Sequence, residues 1–128
     1  MRRFTLLLVM TLLFAGCAAD TGGSAGDPAK TVERYLQAKV NLDADIIRGL
    51  LCTELESTLE REINTFSPAT GVEIEDMTCS RVDGQDVVSC SGQIVADYGG
   101  EDNVFPLVSY RVVQEDGEWK WCGEAALD

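Results

Sequence analysis

Two hydrophobic periods divide the chain. Between Asp27 and Phe66 apolar residues recur at helical spacing, and past Gly71 they fall at every second position. Asp27-Pro28 forms an N-cap signal followed by proline at the first helical position. Val32, Tyr35, Leu36, Lys39 and Val40 then share one helix face, with the lysine stem at its margin. A second short helix is predicted over Asp43 to Leu51, with Ile46, Ile47, Leu50 and Leu51 as its apolar positions. Thr53-Glu54-Leu55-Glu56 has the form of a capping box. It predicts a third helix that buries Leu55, Leu59, Ile63 and Phe66 and stops at Ser67-Pro68.

The alternating part predicts strands over 72–81, 87–96, 104–114 and 118–123. Asp83-Gly84 and Asp116-Gly117 supply hairpin turns, and Tyr98-Gly99-Gly100-Glu101 a looser one. Pro106 has no N–H to donate to a ladder, so a bulge or a locally unpaired stretch is expected there. Helices first and strands second define an α+β domain, with the helices on one face of a four-stranded antiparallel meander.

Upstream of Asp27 the chain has a different character. Arg2 and Arg3 precede an uncharged, mostly apolar run of eleven residues from Phe4 to Phe14, and small residues lead to Cys17. That is the layout of a secretory signal. It is too short to span a bilayer, which takes roughly 20 residues. Leu13-Phe14-Ala15-Gly16-Cys17 resembles the lipobox of bacterial lipoproteins, although Phe14 stands three before the cysteine, where that family usually has Leu. The resemblance implies cleavage after Gly16 and acylation of Cys17, with diacylglyceryl and palmitate-type chains holding the protein to a bilayer. Residues 1–16 are then a signal peptide, residues 17–27 a lipidated cysteine with a flexible tether, and residues 28–128 the folded domain. The tether Ala18–Gly26 is small, polar and glycine-rich. Nine such residues span roughly 15–18 Å.

Cysteine parity points the same way. There are five cysteines, and acylation of Cys17 leaves Cys52, Cys79, Cys90 and Cys122. Four cysteines in an exported chain suit two disulfides. Cys79 and Cys90 are equidistant from the Gly84–Gln85 turn centre. A four-residue loop, Asp83 to Asp86, places them as a non-hydrogen-bonded cross-strand pair, where side chains lie closest. Cys52 and Cys122 are left to tie the helical layer to the last strand. Zinc is disfavoured, because the chain has no CxxC pair and no histidine.

The whole chain carries a formal charge of −12; without residues 1–16 it has 8 basic and 22 acidic residues, or −14. Such a surface repels nucleic acid and anionic lipid head groups. Membrane attachment therefore rests on the acyl group, and no nucleic-acid partner is expected.

The Tyr35-Leu36-Gln37-Ala38 helix, the Leu50-Leu51-Cys52 helix end and the closing Asp116-Gly117-Glu118-Trp119-Lys120-Trp121-Cys122-Gly123 hairpin resemble the nuclear transport factor 2-like superfamily. More narrowly, they are similar to its small exported bacterial lipoproteins of unknown function. The resemblance covers residues 28–124 and implies a curved sheet wrapped around a long helix, with a cone-shaped cavity. Ketosteroid-isomerase-like members use acid–base groups in that cone.

Without histidine, a base must be a carboxylate and an acid a phenol or neutral carboxyl. Tyr35, Asp76 and Tyr110 are the candidates, though core tyrosines and a solvated acidic segment are the better readings of them. Trp119 and Trp121 lie two apart and so share one sheet face, as pocket lining or as core. The acidic loop Asp97–Asn103 lacks EF-hand spacing and reads as a surface turn. No metal and no cofactor is expected. The sequence thus predicts a non-catalytic, membrane-anchored domain in the bacterial cell envelope, facing outside the cytoplasm. It would bind a small apolar ligand or an envelope protein. The alternatives are a cone-site isomerase- or hydratase-like enzyme using a carboxylate base, and a structural envelope protein without a pocket.

Overall fold

The computed structural model describes residues 26–126. The signal segment, Cys17 and the tether up to residue 25 lie outside the described residues, as do residues 127 and 128.

Helix α1 spans Pro28–Val40 and starts as the sequence predicts: Asp27 Oδ1 accepts from Ala29 N at 2.9 Å, and Pro28 opens the first turn. It buries Val32, Tyr35, Leu36 and Ala38. Leu42, at a φ of 56°, reverses the chain, and Asp43 caps α2 (Ala44–Leu50) through Ile46 N at 3.2 Å. The third helix departs from expectation. Thr53–Thr58 is a 3₁₀ segment, and α3 covers only Leu59–Ile63. The predicted capping box does not form. Thr53 instead donates its N–H to Glu115 Oε2 at 2.9 Å and its hydroxyl to Glu115 Oε1 at 2.9 Å, a tertiary contact in place of a local one.

Five strands come next rather than four: β1 (Thr70–Arg81), β2 (Val87–Tyr98), β3 (Glu101–Pro106), β4 (Ser109–Glu115) and β5 (Glu118–Glu124). The sheet order is β1-β2-β4-β5, with β3 also on β2. The predicted third strand is split because β3 and β4 share one side of β2, β3 pairing with 93–98 and β4 with 87–89. Pro106 closes β3 opposite Gln93. Counting from the two-residue Gly99-Gly100 turn, that pair is non-hydrogen-bonded, so the proline nitrogen faces the open edge and costs the ladder nothing.

Besides a register slip between Thr70 and Glu73 at the start of β1, two irregularities bend the sheet. The register slips between Glu75 and Thr78, where Asp76 takes a φ of 53°, and again between Tyr110 and Val112. Opposite the first slip, a Cβ on Gly92 would stand 2.6 Å from the carbonyl oxygens of both Asp76 and Glu75. Only glycine allows β1 and β2 to approach this closely. The bent sheet lays Val88, Ile94, Val112 and Trp121 into one core with Val32, Tyr35 and Leu36 of α1.

Two disulfides brace the domain. Cys79–Cys90 bridges β1 and β2 across paired positions with Cα atoms 4.1 Å apart. Val82 N donates to Val87 O at 2.8 Å to close the four-residue turn, and Cys90 N turns away to Val108 O at 3.0 Å. Both bonds fit a non-hydrogen-bonded Cys79/Cys90 pair. Cys52–Cys122 joins the end of the helical layer to β5, beside a parallel bridge between Leu51 and Trp121.

Candidate functional site

A cleft of about 580 Å³ opens between α1, α3 and the bent sheet. Leu36 and Lys39 come from α1, and Glu62 from α3, with Arg61 beside it. Phe66, Ile94, Phe105, Leu107, Tyr110 and Trp121 form its apolar wall.

Glu62 organises the polar end. The Tyr35 hydroxyl donates to its Oε2 at 2.8 Å, and Lys39 Nζ donates to the same oxygen at 2.9 Å. The other oxygen, Oε1, has only the Arg61 guanidinium, 3.9 Å away. The Lys39 and Glu62 side chains are 14% and 9% exposed, so both charges stand largely out of water and depend on each other. Aromatic rings complete the setting. Tyr35 and Trp121 stack at 4.1 Å, nearly parallel at 12°, and the Lys39 ammonium lies 5.6 Å from the Trp121 ring centroid and 5.9 Å from that of Tyr35. Such placement over ring faces favours the cation. The indole N–H of Trp121 is buried without a hydrogen-bond partner among the described residues.

The sequence reading missed Glu62. It treats residues 53–66 as one α-helix, whose inner face then falls on Leu59 and Ile63. Six residues of 3₁₀ winding, at about 120° per residue against 100°, rotate the start of α3 by about 120°. Glu62 is buried as a result, while Leu59 and Ile63 are half-buried. A signal was present in α1, where Tyr35 and Lys39 on a buried face both require an acceptor.

The sequence-derived site residues are dispersed. Tyr110 and Trp121 line the cleft. Tyr35 is fully buried beneath it and reaches it only through Glu62 and the Trp121 stack. Trp119 is buried apart from the lining, under the Arg81 guanidinium at 5.0 Å. Asp76 is exposed at the bulge and takes no part in the cleft. The Asp97–Asn103 segment is a hairpin turn in which Asp97 Oδ1 accepts from Gly100 N at 2.7 Å, and the described residues contain no group of three side chains suited to a metal. No described helix is long and apolar enough to cross a membrane.

The phenols are held neutral. Burial, reinforced by its bond to the Glu62 carboxylate, pushes the Tyr35 phenol far above the ordinary tyrosine value. Burial also raises Tyr110, whose oxygen accepts from Val108 N at 3.4 Å. Apart from these, the cleft offers the Glu62 carboxylate, already addressed by two donors, the exposed Glu124 carboxylate, a partly free lysine and the Arg61 guanidinium, 3.9 Å from Glu62 Oε1. That set suits holding a polar head group above an apolar wall.

The fold is thus an α+β domain in which short helices close a bent antiparallel sheet over a cleft. Among solved structures it is similar to a SEC-C motif-containing protein from Rhodopseudomonas palustris, with a TM-score of 0.57 at 14% identity over 82% of each chain. It also matches an NTF2-like protein of unknown function in nutrient uptake from Rhodospirillum rubrum, with a TM-score of 0.49 at 21% identity over 79% of this chain and 99% of that one. At 14% identity the first likeness concerns the fold alone. The sequence matches no protein-family model and no curated protein.

Proposed function

We propose that this chain is a lipid-anchored lipoprotein of the bacterial cell envelope whose nuclear transport factor 2-like domain binds a small, largely apolar ligand outside the cytoplasm. The observation that carries the binding role is the cleft of about 580 Å³, apolar along the sheet and polar at one end. It falls within the roughly 300–1,000 Å³ of small-molecule sites, which join an apolar lining to a few fixed polar groups. The lipobox-like residues ending in Cys17 support the anchor, and two disulfides suit an oxidising compartment.

Glu62 with the Tyr35 phenol favours a second reading, a cone-site enzyme with a carboxylate base. Against it, the phenol and the Lys39 ammonium both occupy Oε2, and the Tyr110 oxygen already accepts from the backbone.

Tryptophan emission tests the binding role, because Trp121 lines the cleft and Trp119 does not. With the full chain carrying Cys17→Ser, so that no acyl group is attached, saturable change on adding apolar small molecules is expected. Absence of any change across such a series counts against a binding domain. The anchor is tested by detergent phase partitioning: the unaltered chain enters the detergent phase and the Cys17→Ser chain stays in water.

A further inference from the structure

Resting on the cleft as the binding site, we infer that its ligand is a monocarboxylate, an apolar body ending in one carboxylate head. Hydrogen-bond capacity at the polar end carries this. Lys39 Nζ has three N–H donors and a single acceptor among the described residues, Glu62 Oε2. Arg61 makes no side-chain hydrogen bond to the described residues; the Glu62 Oε1 oxygen is 3.9 Å away and its side chain is 76% exposed. Both residues line the cleft, and both are held against the same carboxylate. The buried indole N–H of Trp121, on the same wall, has no acceptor either. On the acceptor side stands Glu62 Oε1, with Glu124 exposed near the rim and paired across the strands with Tyr110.

Donors therefore exceed acceptors where Lys39, Arg61 and Glu62 meet, and these three side chains carry one net positive charge, which only the exposed Glu124 offsets across the cleft as a whole. A carboxylate head supplies the missing acceptors and balances that charge. It takes the spare Lys39 donors and the planar guanidinium fork of Arg61, which matches a carboxylate two bonds at a time. A cationic head finds its place taken, because the Lys39 ammonium already lies over Trp121 at 5.6 Å. An alcohol uses one donor and leaves the charge unbalanced. The body of the ligand then runs along Ile94, Phe105, Leu107 and Phe66.

The test titrates the full chain carrying Cys17→Ser with octanoate, octanol and octyltrimethylammonium, read by tryptophan emission and calorimetry. Octanoate is expected to bind at least about tenfold more tightly than octanol, the scale of a charge-assisted hydrogen bond gained. Arg61→Gln, at an exposed side chain without hydrogen bonds, keeps the fold and should weaken octanoate several-fold while leaving octanol unchanged. Lys39→Met should weaken it further. 3-Phenylpropionate separates the sources of the carboxylate: tighter binding than octanoate indicates an aromatic acid, weaker binding an acyl chain, and either supports the inference. Equal affinity for octanoate and octanol, preference for the ammonium probe, or octanoate affinity unmoved in both variants overturns the carboxylate assignment but leaves the cleft as a binding site. No signal with any probe overturns both.

Discussion

Glu62, Lys39 and Tyr35 act as one unit, and a double-mutant cycle measures how strongly. In Glu62→Leu the Lys39 ammonium loses its hydrogen-bond acceptor and the fully buried Tyr35 hydroxyl loses its partner. Breaking one side of a buried pair costs about 3–5 kcal/mol. The lower end applies here, because Lys39 keeps its ring contacts and borders an open cleft. We expect about 3 kcal/mol. Lys39→Met leaves Glu62 with the Tyr35 hydroxyl and Arg61 within reach at 3.9 Å, so about 2 kcal/mol is expected. In Glu62→Leu/Lys39→Met no charge is stranded. What remains is the orphaned hydroxyl and some repacking, about 2 kcal/mol. The double variant should thus fall short of the summed single effects by about 3 kcal/mol, the upper range for directly coupled side chains. Equilibrium urea unfolding of the Cys17→Ser chain at pH 7, disulfides intact, reads these values from midpoints at constant slope. Additive single effects, or a Glu62→Leu cost below about 1 kcal/mol, would refute the coupled buried pair.

The same geometry makes three more outcomes measurable. Gly92→Ala should cost about 3 kcal/mol or more by thermal or urea unfolding, since its Cβ meets two carbonyl oxygens at 2.6 Å at a backbone φ of 105°; a loss under about 1 kcal/mol would mean the β1–β2 bulge yields freely. Replacing Cys79 and Cys90 together by alanine should cost about 3 kcal/mol, and replacing Cys52 and Cys122 about 4, because the loops closed differ in separation, 11 against 70 residues; the reverse order would contradict chain entropy as the dominant effect. Tyr35 has a raised folded-state pKa, so the unfolded chain loses that proton first above pH 10 and stability falls as pH rises; Tyr35→Phe should be less stable at pH 7 yet lose less between pH 9 and 11, and an unchanged alkaline slope would contradict a buried, neutral phenol.

Much of the fold was legible because its signals are local. Asp27-Pro28 caps α1 as its residue types require, and Asp43 caps α2. The Val82–Val87 turn sets the register that brings Cys79 opposite Cys90. What was not legible depends on distant partners. Thr53 has the residues for a capping box, but Glu115 on β4 offers both oxygens to the same donors, and the first turns wind as 3₁₀. That change of winding buries Glu62 and places the polar end of the cleft, so the missed site and the missed cap have one cause. The split of β3 from β4 is also tertiary: the two pair with separate stretches of β2, 93–98 and 87–89. Trp119 and Trp121 share one face of β5, yet only Trp121 lies under α1 against Tyr35.

That Cys122 follows the other four cysteines has a consequence for the order of oxidation. In any folding that proceeds from the N-terminus, Cys52 waits through seventy residues for its partner, while Cys79 and then Cys90 emerge as competitors. The tight hairpin resolves this competition. Eleven positions apart and paired directly by the turn, Cys79 and Cys90 meet each other sooner than either meets Cys52. Once bridged, they leave Cys52 a single correct choice. The short β1–β2 staple is therefore a proofreading device as well as a brace: it removes two thiols from exchange before the last one arrives.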